Sequence, residues 1–143
     1  MNIHQISVFL ENRTGQLAEI TKLLAEAGVD IRALSIAETA DYGLARMIVD
    51  DSHKASQILL QHGDILSMTP VWAVEVPDQA GGLAQVLSVL AEAGVDVEYM
   101  YSLFTHQEGK AYMVFRTSDE KKFVEQLSTH GITPVDKADL GLK

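Results

Sequence analysis

The chain contains no cysteine, few aromatic residues and little positive charge. Without cysteine it has no disulfide, no thiolate nucleophile and no cysteine-ligated zinc. Its 11 lysines and arginines stand against 20 aspartates and glutamates, for a formal net charge of −9. It therefore offers no basic surface to nucleic acid or to an anionic membrane. No apolar run approaches the ~20 residues that span a bilayer, and no signal-peptide pattern opens the chain. We expect a cytoplasmic protein that binds neither nucleic acid nor membrane.

The residue patterns of catalysis and metal binding are also missing. The sequence has no nucleophile–base set, nucleophile elbow or phosphate-binding loop. The spacing H-x-H or H-x-x-x-H of a metal site is not found among the histidines, which are His4, His53, His62, His106 and His130. We expect no catalytic residue, no metal and no cofactor, and hence a protein that is not an enzyme.

The most informative feature that is present is the hexapeptide AEAGVD, which occurs at residues 25–30 and again at residues 91–96. The similarity extends outward, because GQLAEITKLLAEAGVDI at residues 15–31 aligns with GGLAQVLSVLAEAGVDV at residues 81–97. Two unrelated amphipathic helices would not match over this length together with their flanking strands. The sequence therefore indicates a duplication.

The alignment continues into the following strands. DYGLARMIVD at residues 41–50 aligns with QEGKAYMVFR at residues 107–116 without a gap, and an insertion is needed only nearer the C-terminal end of each copy. The copies meet near Pro70. We expect two domains, residues 1–69 and residues 70–143.

Each copy predicts the same order of elements. Apolar residues alternate along residues 6–10, which is typical of a half-buried strand. An apolar helical stripe follows and stops at Gly28 or Gly94, where a left-handed C-cap is wanted. Two further strands come next, then a second helix that we expect Ser52 or Ser118 to cap, and then a short last strand.

This order predicts an α+β fold of two tandem ferredoxin-like βαββαβ units. Each unit is a four-stranded antiparallel sheet with both helices on one face. The opposite face of the first sheet carries apolar residues such as Phe9, and an uncovered apolar face is usually an association surface. We expect it to bury against a second chain in a symmetric homodimer.

The segment ENRTGQLAEITKLLAEAGVDI, residues 11–31, resembles the signature of the ACT domain, a small-molecule sensor of amino-acid metabolism. The family pattern is a strand, then Asp/Asn-x-Pro-Gly-x-Leu, a helix that ends at glycine, and Val/Ile-Asn/Asp-Ile. Both copies carry the pattern, so the resemblance covers the whole chain as a tandem pair. The family's proline is Thr14 in the first copy and Ala80 in the second.

The glycine before the first helix suggests a binding site. It lets a ligand approach bare backbone, where unpaired N–H groups and the helix dipole favour a carboxylate. Asn12, or Asp78 in the second copy, is placed to meet an ammonium group or to cap the helix. The resemblance implies that the ligand lies between two ACT units, one offering this loop and the other the start of its second strand. The ligand-binding residues so implied are Leu10, Asn12, Arg13, Thr14, Gly15, Gln16, Leu17 and Gly81, with Asp30 or Asp96 facing them.

Each of these residues also has a structural interpretation. Asn12 is equally well explained as a helix N-cap, Gly15 and Gly81 by loop geometry, and Asp30 and Asp96 as braces of a turn. The two loops differ in every polar side chain, which leaves open that only one copy binds. The first copy is then the better candidate.

The resemblance implies a non-catalytic regulatory protein that binds an amino acid or a similar small metabolite at ACT–ACT interfaces. ACT units usually accompany an enzyme or a repressor domain, and here two units use up the chain. Regulation is therefore expected in trans, on an enzyme partner in amino-acid or aromatic-acid metabolism. An allosteric ligand must then bind one arrangement of the units better than the other. The alternative is a structural or interaction subunit of an enzyme complex with no small-molecule ligand.

Overall fold

The computed structural model describes residues 2–11 and 13–143, so the predicted ligand residue Asn12 lies outside the described residues. Along the chain the regular elements are β1 (Ile3–Leu10), α1 (Gln16–Glu26), β2 (Ile31–Glu38), β3 (Gly43–Val49), α2 (Ser52–His62), β4 (Leu66–Pro77), α3 (Gly82–Glu92), β5 (Val97–Ser102), β6 (Lys110–Thr117), α4 (Glu120–Thr129) and a 3-10 helix (Ala138–Leu140).

These elements divide into two compact units. The N-terminal unit comprises His4–Thr69 together with Gly141–Lys143, and the C-terminal unit comprises Pro70–Leu140 together with residues at the start of the chain. The C-terminal tail is tied to the N-terminal unit by a hydrogen bond from the Lys143 N–H to the Asp50 carbonyl oxygen at 2.8 Å. The strand β4 begins in the N-terminal unit and ends in the C-terminal unit.

In the N-terminal unit, β3 lies between β2 and β1 and is antiparallel to both. The first residues of β4 lie on the other side of β1, where the Phe9 N–H donates to the Ile65 carbonyl oxygen at 2.9 Å. The helices cover one face, because Ile6 and Val8 of β1 share a buried core with Leu24 of α1 and with residues of α2. Phe9 therefore lies on the opposite face, as the alternation predicts.

In the C-terminal unit, β6 lies between β4 and β5 and is antiparallel to both. The fourth strand of this unit is reduced to a bridge between Val74 and Pro134, next to which the Val135 N–H donates to the Ala73 carbonyl oxygen at 2.8 Å. Residues of α3 and α4 form a core with one face of the sheet. The predicted fold class, two ferredoxin-like units in tandem, is confirmed.

The repeated hexapeptide AEAGVD forms the end of the first helix in each unit. After α1, Gly28 has φ of +76°, its N–H donates to the Ala25 carbonyl oxygen at 3.0 Å, and the Val29 N–H donates to the Leu24 carbonyl oxygen at 2.9 Å. These two bonds define the Schellman motif, in which a left-handed glycine satisfies the last carbonyls of a helix. Gly94 has φ of +71° at the end of α3, so both predicted glycine stops are confirmed.

The structure corrects the alignment of the two copies. Phe9 pairs with Leu44 across β1 and β3, whereas the equivalent residue Glu75 pairs with Tyr112 across β4 and β6. Glu75 comes 66 positions after Phe9, but Tyr112 comes 68 positions after Leu44. The predicted alignment without a gap across the third strands is therefore wrong. The two extra residues lie in the β5–β6 connection, because a loop accepts an insertion without disturbing a strand ladder.

The predicted helix caps Ser52 and Ser118 are also wrong. Asp51 caps α2 by accepting a hydrogen bond from the Lys54 N–H at 3.1 Å, and Asp119 caps α4 in the same way. Aspartate and serine are about equally good caps by propensity, but an ionised carboxylate also interacts favourably with the helix dipole. Each helix consequently begins after the aspartate.

Candidate ligand-binding site

The first helix of each unit begins differently from the second. Gly15 precedes α1 and Gly81 precedes α3, with φ of +88° and +86°, and neither offers a side-chain cap. A Cβ atom built on either glycine would meet nothing within 4 Å. Each of these glycines therefore lies at the positive end of a helix dipole with open space beside its Cα atom.

The loops that precede these two helices have different local interactions in the two units. In the N-terminal unit the side chain of Gln16, which is buried, accepts a hydrogen bond from the Glu11 N–H at 2.7 Å. In the C-terminal unit Pro77 stands at the position of Glu11 and has no N–H to satisfy. Gly82 stands at the position of Gln16, where a Cβ atom would lie 2.0 Å from the Pro77 carbonyl oxygen. The two sequence differences are therefore linked, because the unit that lacks the glutamine side chain also lacks the N–H group that the glutamine would accept from. The predicted ligand residue Gln16 stabilises its own loop through this hydrogen bond.

A cavity of about 130 Å³ lies beside the first loop. The predicted residue Leu10 lines it together with Glu11. The far side comes from the end of β2 and the turn into β3, through Ile36, Glu38, Thr39, Tyr42 and Gly43. A cavity of this size is well below that of a drug-sized pocket and suits only a small metabolite.

The predicted residues Arg13 and Thr14 are exposed on this loop. The guanidinium group of Arg13 contacts two carboxylates: Nε lies 3.7 Å from Oε2 of Glu11, and Nη1 lies 3.3 Å from Oε2 of Glu19. Exposed pairs of this kind contribute about 0–1 kcal/mol. These two contacts therefore do little to hold Arg13 in place.

His62 connects the two helices of the N-terminal unit. Its Nδ1 lies 2.8 Å from Oδ2 of Asp64, and its Nε2 lies 3.1 Å from Oε1 of Glu19. The hydrogen bond to Asp64, followed by the charges of Asp64 and Glu19, raises the pKa of His62 above its ordinary value. Because Glu19 also contacts Arg13, a continuous series of polar contacts runs from the loop to the end of α2.

The predicted aspartate Asp30 lies away from the loop of its own unit, and its role facing the loop of another ACT unit stays a prediction. It follows the far end of α1, an 11-residue helix whose rise of about 1.5 Å per residue separates its ends by about 16 Å. The Asp30 N–H donates to Oδ1 of Asp50 at 2.9 Å, and Arg32 donates to Oδ2 of Asp30 at 3.3 Å. Asp30 thus helps to hold the start of β2 against the end of β3. Its counterpart Asp96 is exposed in the C-terminal unit.

The predicted residue Leu17 is half-buried against the core of its unit. Sequence reasoning missed the side of the cavity formed by β2 and β3, and it missed the contacts of His62. The first depends on strand register, which places Gly43 opposite Leu10 at the end of β1 and has no signal in the sequence. For His62 the only signal was the spacing of two residues to Asp64.

Among residues 2–11 and 13–143, no cluster of three or more His, Cys, Asp or Glu side chains is arranged to hold a metal ion. None of the helices in that part of the chain is both long and apolar enough to cross a membrane.

A protein-family model described as an ACT domain pair matches residues 1–141. The chain belongs to this ACT domain pair family. The resemblance of residues 11–31 to the ACT signature is thereby confirmed, and the match extends over both ACT units.

The ACT pair is similar to a protein from Bacteroides thetaiotaomicron of known crystal structure, with 38% identity, a TM-score of 0.91, and coverage of 99% of this chain and 96% of that one. It is also similar to the regulatory subunit of aspartate kinase from Thermus thermophilus, at 14% identity and a TM-score of 0.63 over 88% of this chain and 91% of that one. The corresponding subunit from Thermus flavus gives 14% identity and a TM-score of 0.61, over 88% and 90% of the two chains. At 14% identity the likeness shows the fold alone. A comparison with curated proteins found no match.

Proposed function

We propose that this ACT domain pair is a non-catalytic regulatory protein that binds an amino acid or a similar small metabolite at the N-terminus of α1. The observation that carries the proposal is the exposed, left-handed Gly15, which itself offers no side-chain cap to α1 and has open space beside its Cα atom. Membership of the ACT family supports a regulatory role, and two of the similar structures are regulatory subunits of aspartate kinase.

The chemistry of the loop suits an α-amino acid. The ligand carboxylate would accept hydrogen bonds from the first N–H groups of α1, where the helix dipole is favourable. Its ammonium group would face Glu11 and Glu38, exposed carboxylates that both line the neighbouring cavity. An α-amino acid carries both charged groups on one carbon, so a single small molecule would make both contacts.

As the resemblance implies, a second ACT unit would complete the site. The ligand would then favour one arrangement of ACT units over another, which is the requirement for allosteric control. We propose that this change acts in trans on an enzyme of amino-acid or aromatic-acid metabolism.

A titration of the full chain with each of the twenty amino acids tests the proposal, using isothermal calorimetry on the wild type and on Gly15→Asn. Asparagine tolerates a left-handed backbone better than most residues, so the variant keeps the loop while its side chain occupies the ligand's space and caps the first N–H groups. Gly28→Asn is the matched control, because Gly28 has φ of +76°, has nothing within 4 Å of a built Cβ atom and lies at the other end of α1.

We expect at least one amino acid to bind the wild type and Gly28→Asn saturably, and to bind Gly15→Asn at least about tenfold more weakly, since hydrogen bonds to a charged group contribute about 1.5–3 kcal/mol. The proposal is wrong if no amino acid binds, or if Gly15→Asn binds as the wild type does.

An apolar surface on the N-terminal unit supports the predicted homodimer. Ile65 is 70% exposed there, beside Phe9 and Leu44 in the lining of one cavity. We propose that a second copy of the chain covers this surface in a homodimer. Light scattering should then show a wild-type dimer and an Ile65→Lys monomer, whereas a wild-type monomer at micromolar concentration contradicts the dimer.

A further inference from the structure

Each unit has a cavity on the sheet face opposite its helices, and the two cavities differ in chemistry. The N-terminal cavity has a volume of about 360 Å³, and its lining includes Phe9, Tyr42, Leu44 and Ile65. The C-terminal cavity has a volume of about 400 Å³, and its lining includes Glu75, Lys110, Tyr112 and Thr133. The first is mainly apolar and the second carries charged and hydroxyl groups.

The strand register makes these two cavities equivalent. Glu75 stands opposite Tyr112 as Phe9 stands opposite Leu44. Because the second copy is offset by 68 positions from β6 onward, Lys110 corresponds to Tyr42, and Thr133 corresponds to Ile65. The duplication therefore preserved the cavity and replaced its lining.

The change of lining is clearest at the positions of Phe9 and Tyr42. In the N-terminal unit the rings of Phe9 and Tyr42 are in contact, with centroids 5.2 Å apart. In the C-terminal unit the same two positions form an ion pair, with Nζ of Lys110 3.0 Å from Oε1 of Glu75. Both charged side chains are 42% exposed, and ion pairs this exposed contribute little to folding stability. The fold does not require the charges, since the other unit builds the same place from aromatic rings.

The polar groups of the C-terminal cavity are arranged to bind both signs of charge. Lys110 has three ammonium donors, and Glu75 occupies one of them. The hydrogen bond to Glu75 raises the pKa of Lys110, so the ammonium group stays charged. The mostly buried Tyr112 donates its hydroxyl proton to Oε1 of Gln107 at 2.8 Å, and Asp139 adds a second carboxylate to the lining.

We propose that the C-terminal cavity binds a small zwitterion, with its carboxylate on Lys110 and its ammonium group on Glu75 and Asp139. The volume falls within the range of small-molecule sites. With two carboxylates against one ammonium group the lining is net negative, so neutral zwitterions bind better than anionic ones. This site uses residues other than those of the α1 loop and does not depend on the proposed function.

The test is a calorimetric titration of the full chain with L-glutamine, L-glutamate and L-alanine, and with propylamine and propionate as analogues of L-alanine that each carry one of the two charges. The decisive variant is Glu75→Phe/Lys110→Tyr, which installs the aromatic pair of the other unit and so keeps a packing arrangement that this fold already uses. Single variants are Glu75→Gln and Lys110→Met, with Glu108→Gln and Lys121→Met as exposed controls outside the lining.

We expect L-alanine and L-glutamine to bind the wild type more tightly than propylamine, propionate or L-glutamate. Each single variant should weaken binding at least about tenfold, the double variant should abolish it, and the two exposed controls should leave it unchanged. The proposal is overturned if neither L-alanine nor L-glutamine binds, or if either binds Glu75→Phe/Lys110→Tyr as it binds the wild type. Gly15→Asn distinguishes the two sites. If only Gly15→Asn loses binding, the α1 loop is supported and the cavity is refuted. If only Glu75→Phe/Lys110→Tyr loses binding, the cavity is supported and the α1 loop is refuted.

Discussion

Replacement of Gly82 with alanine should destabilise the C-terminal unit for a reason that can be read from a single distance. The added Cβ atom would lie 2.0 Å from the carbonyl oxygen of Pro77. Neither atom belongs to a flexible side chain, and the start of α3 is held by a hydrogen bond from the Gly82 N–H to the Gln79 carbonyl oxygen at 3.0 Å. The backbone itself must therefore move to remove the clash.

The adjacent Gly81 provides the matched control. A Cβ atom on Gly81 meets nothing within 4 Å, but φ is +86°, so alanine there costs only the penalty of a left-handed backbone, about 1–2 kcal/mol. Overpacking costs about 1–3 kcal/mol and occasionally more, and an overlap with backbone at this distance belongs at the upper end. We expect Gly82→Ala to cost about 3 kcal/mol or more.

Urea denaturation followed by tryptophan fluorescence measures this difference in stability in the C-terminal unit. Trp72 is the one tryptophan of the chain and packs against the core of the C-terminal unit. With a denaturant slope of about 2 kcal/mol/M, Gly82→Ala should lower the midpoint by about 1.5 M, clearly more than Gly81→Ala does. If the two variants unfold at the same midpoint, the close approach of Pro77 to the start of α3 is not what selects glycine at this position.

Two further predictions concern the N-terminal unit and are measured by circular dichroism. Asp51→Ala removes the cap of α2 and should cost about 1 kcal/mol in urea denaturation, whereas Asp51→Ser should restore most of it; equal losses in both would contradict the capping role. Folding raises the pKa of His62, so protonated His62 stabilises the folded state. This contribution to stability is fully present below about pH 6.5 and is lost as pH rises through the higher folded pKa. His62→Gln should flatten this decline in thermal stability, and a variant with the wild-type pH profile would show that His62 is not its source.

Local signals in the sequence predicted the fold well. The hexapeptide AEAGVD encodes a complete Schellman turn, since the positive φ of Gly28 and the bonds around it involve neighbouring residues only. The helix caps were less certain, because Asp51 and Ser52 are adjacent and both are good cap residues. Only the hydrogen bond accepted by Asp51 distinguishes them.

Features that depend on strand register were not visible in the sequence. The two extra residues lie in the β5–β6 connection, where no periodic pattern shows which residues were added. As a result Lys110 was aligned with Leu44 rather than with Tyr42, and its correspondence to the Phe9–Tyr42 contact was hidden. Cavities draw their linings from several strands at once, and they appear only when those strands are paired.

The central claim is that an amino acid binds at the N-terminus of α1, and backbone amide NMR tests it most directly. The chain labelled with ¹⁵N should be titrated with each of the twenty amino acids and its amide chemical shifts followed. For an amino acid that binds, we expect the largest saturable shifts at Gly15, Gln16 and Leu17, because their N–H groups would face its carboxylate. Saturable binding that leaves these three amides unshifted, or the absence of binding by all twenty amino acids, would contradict the claim.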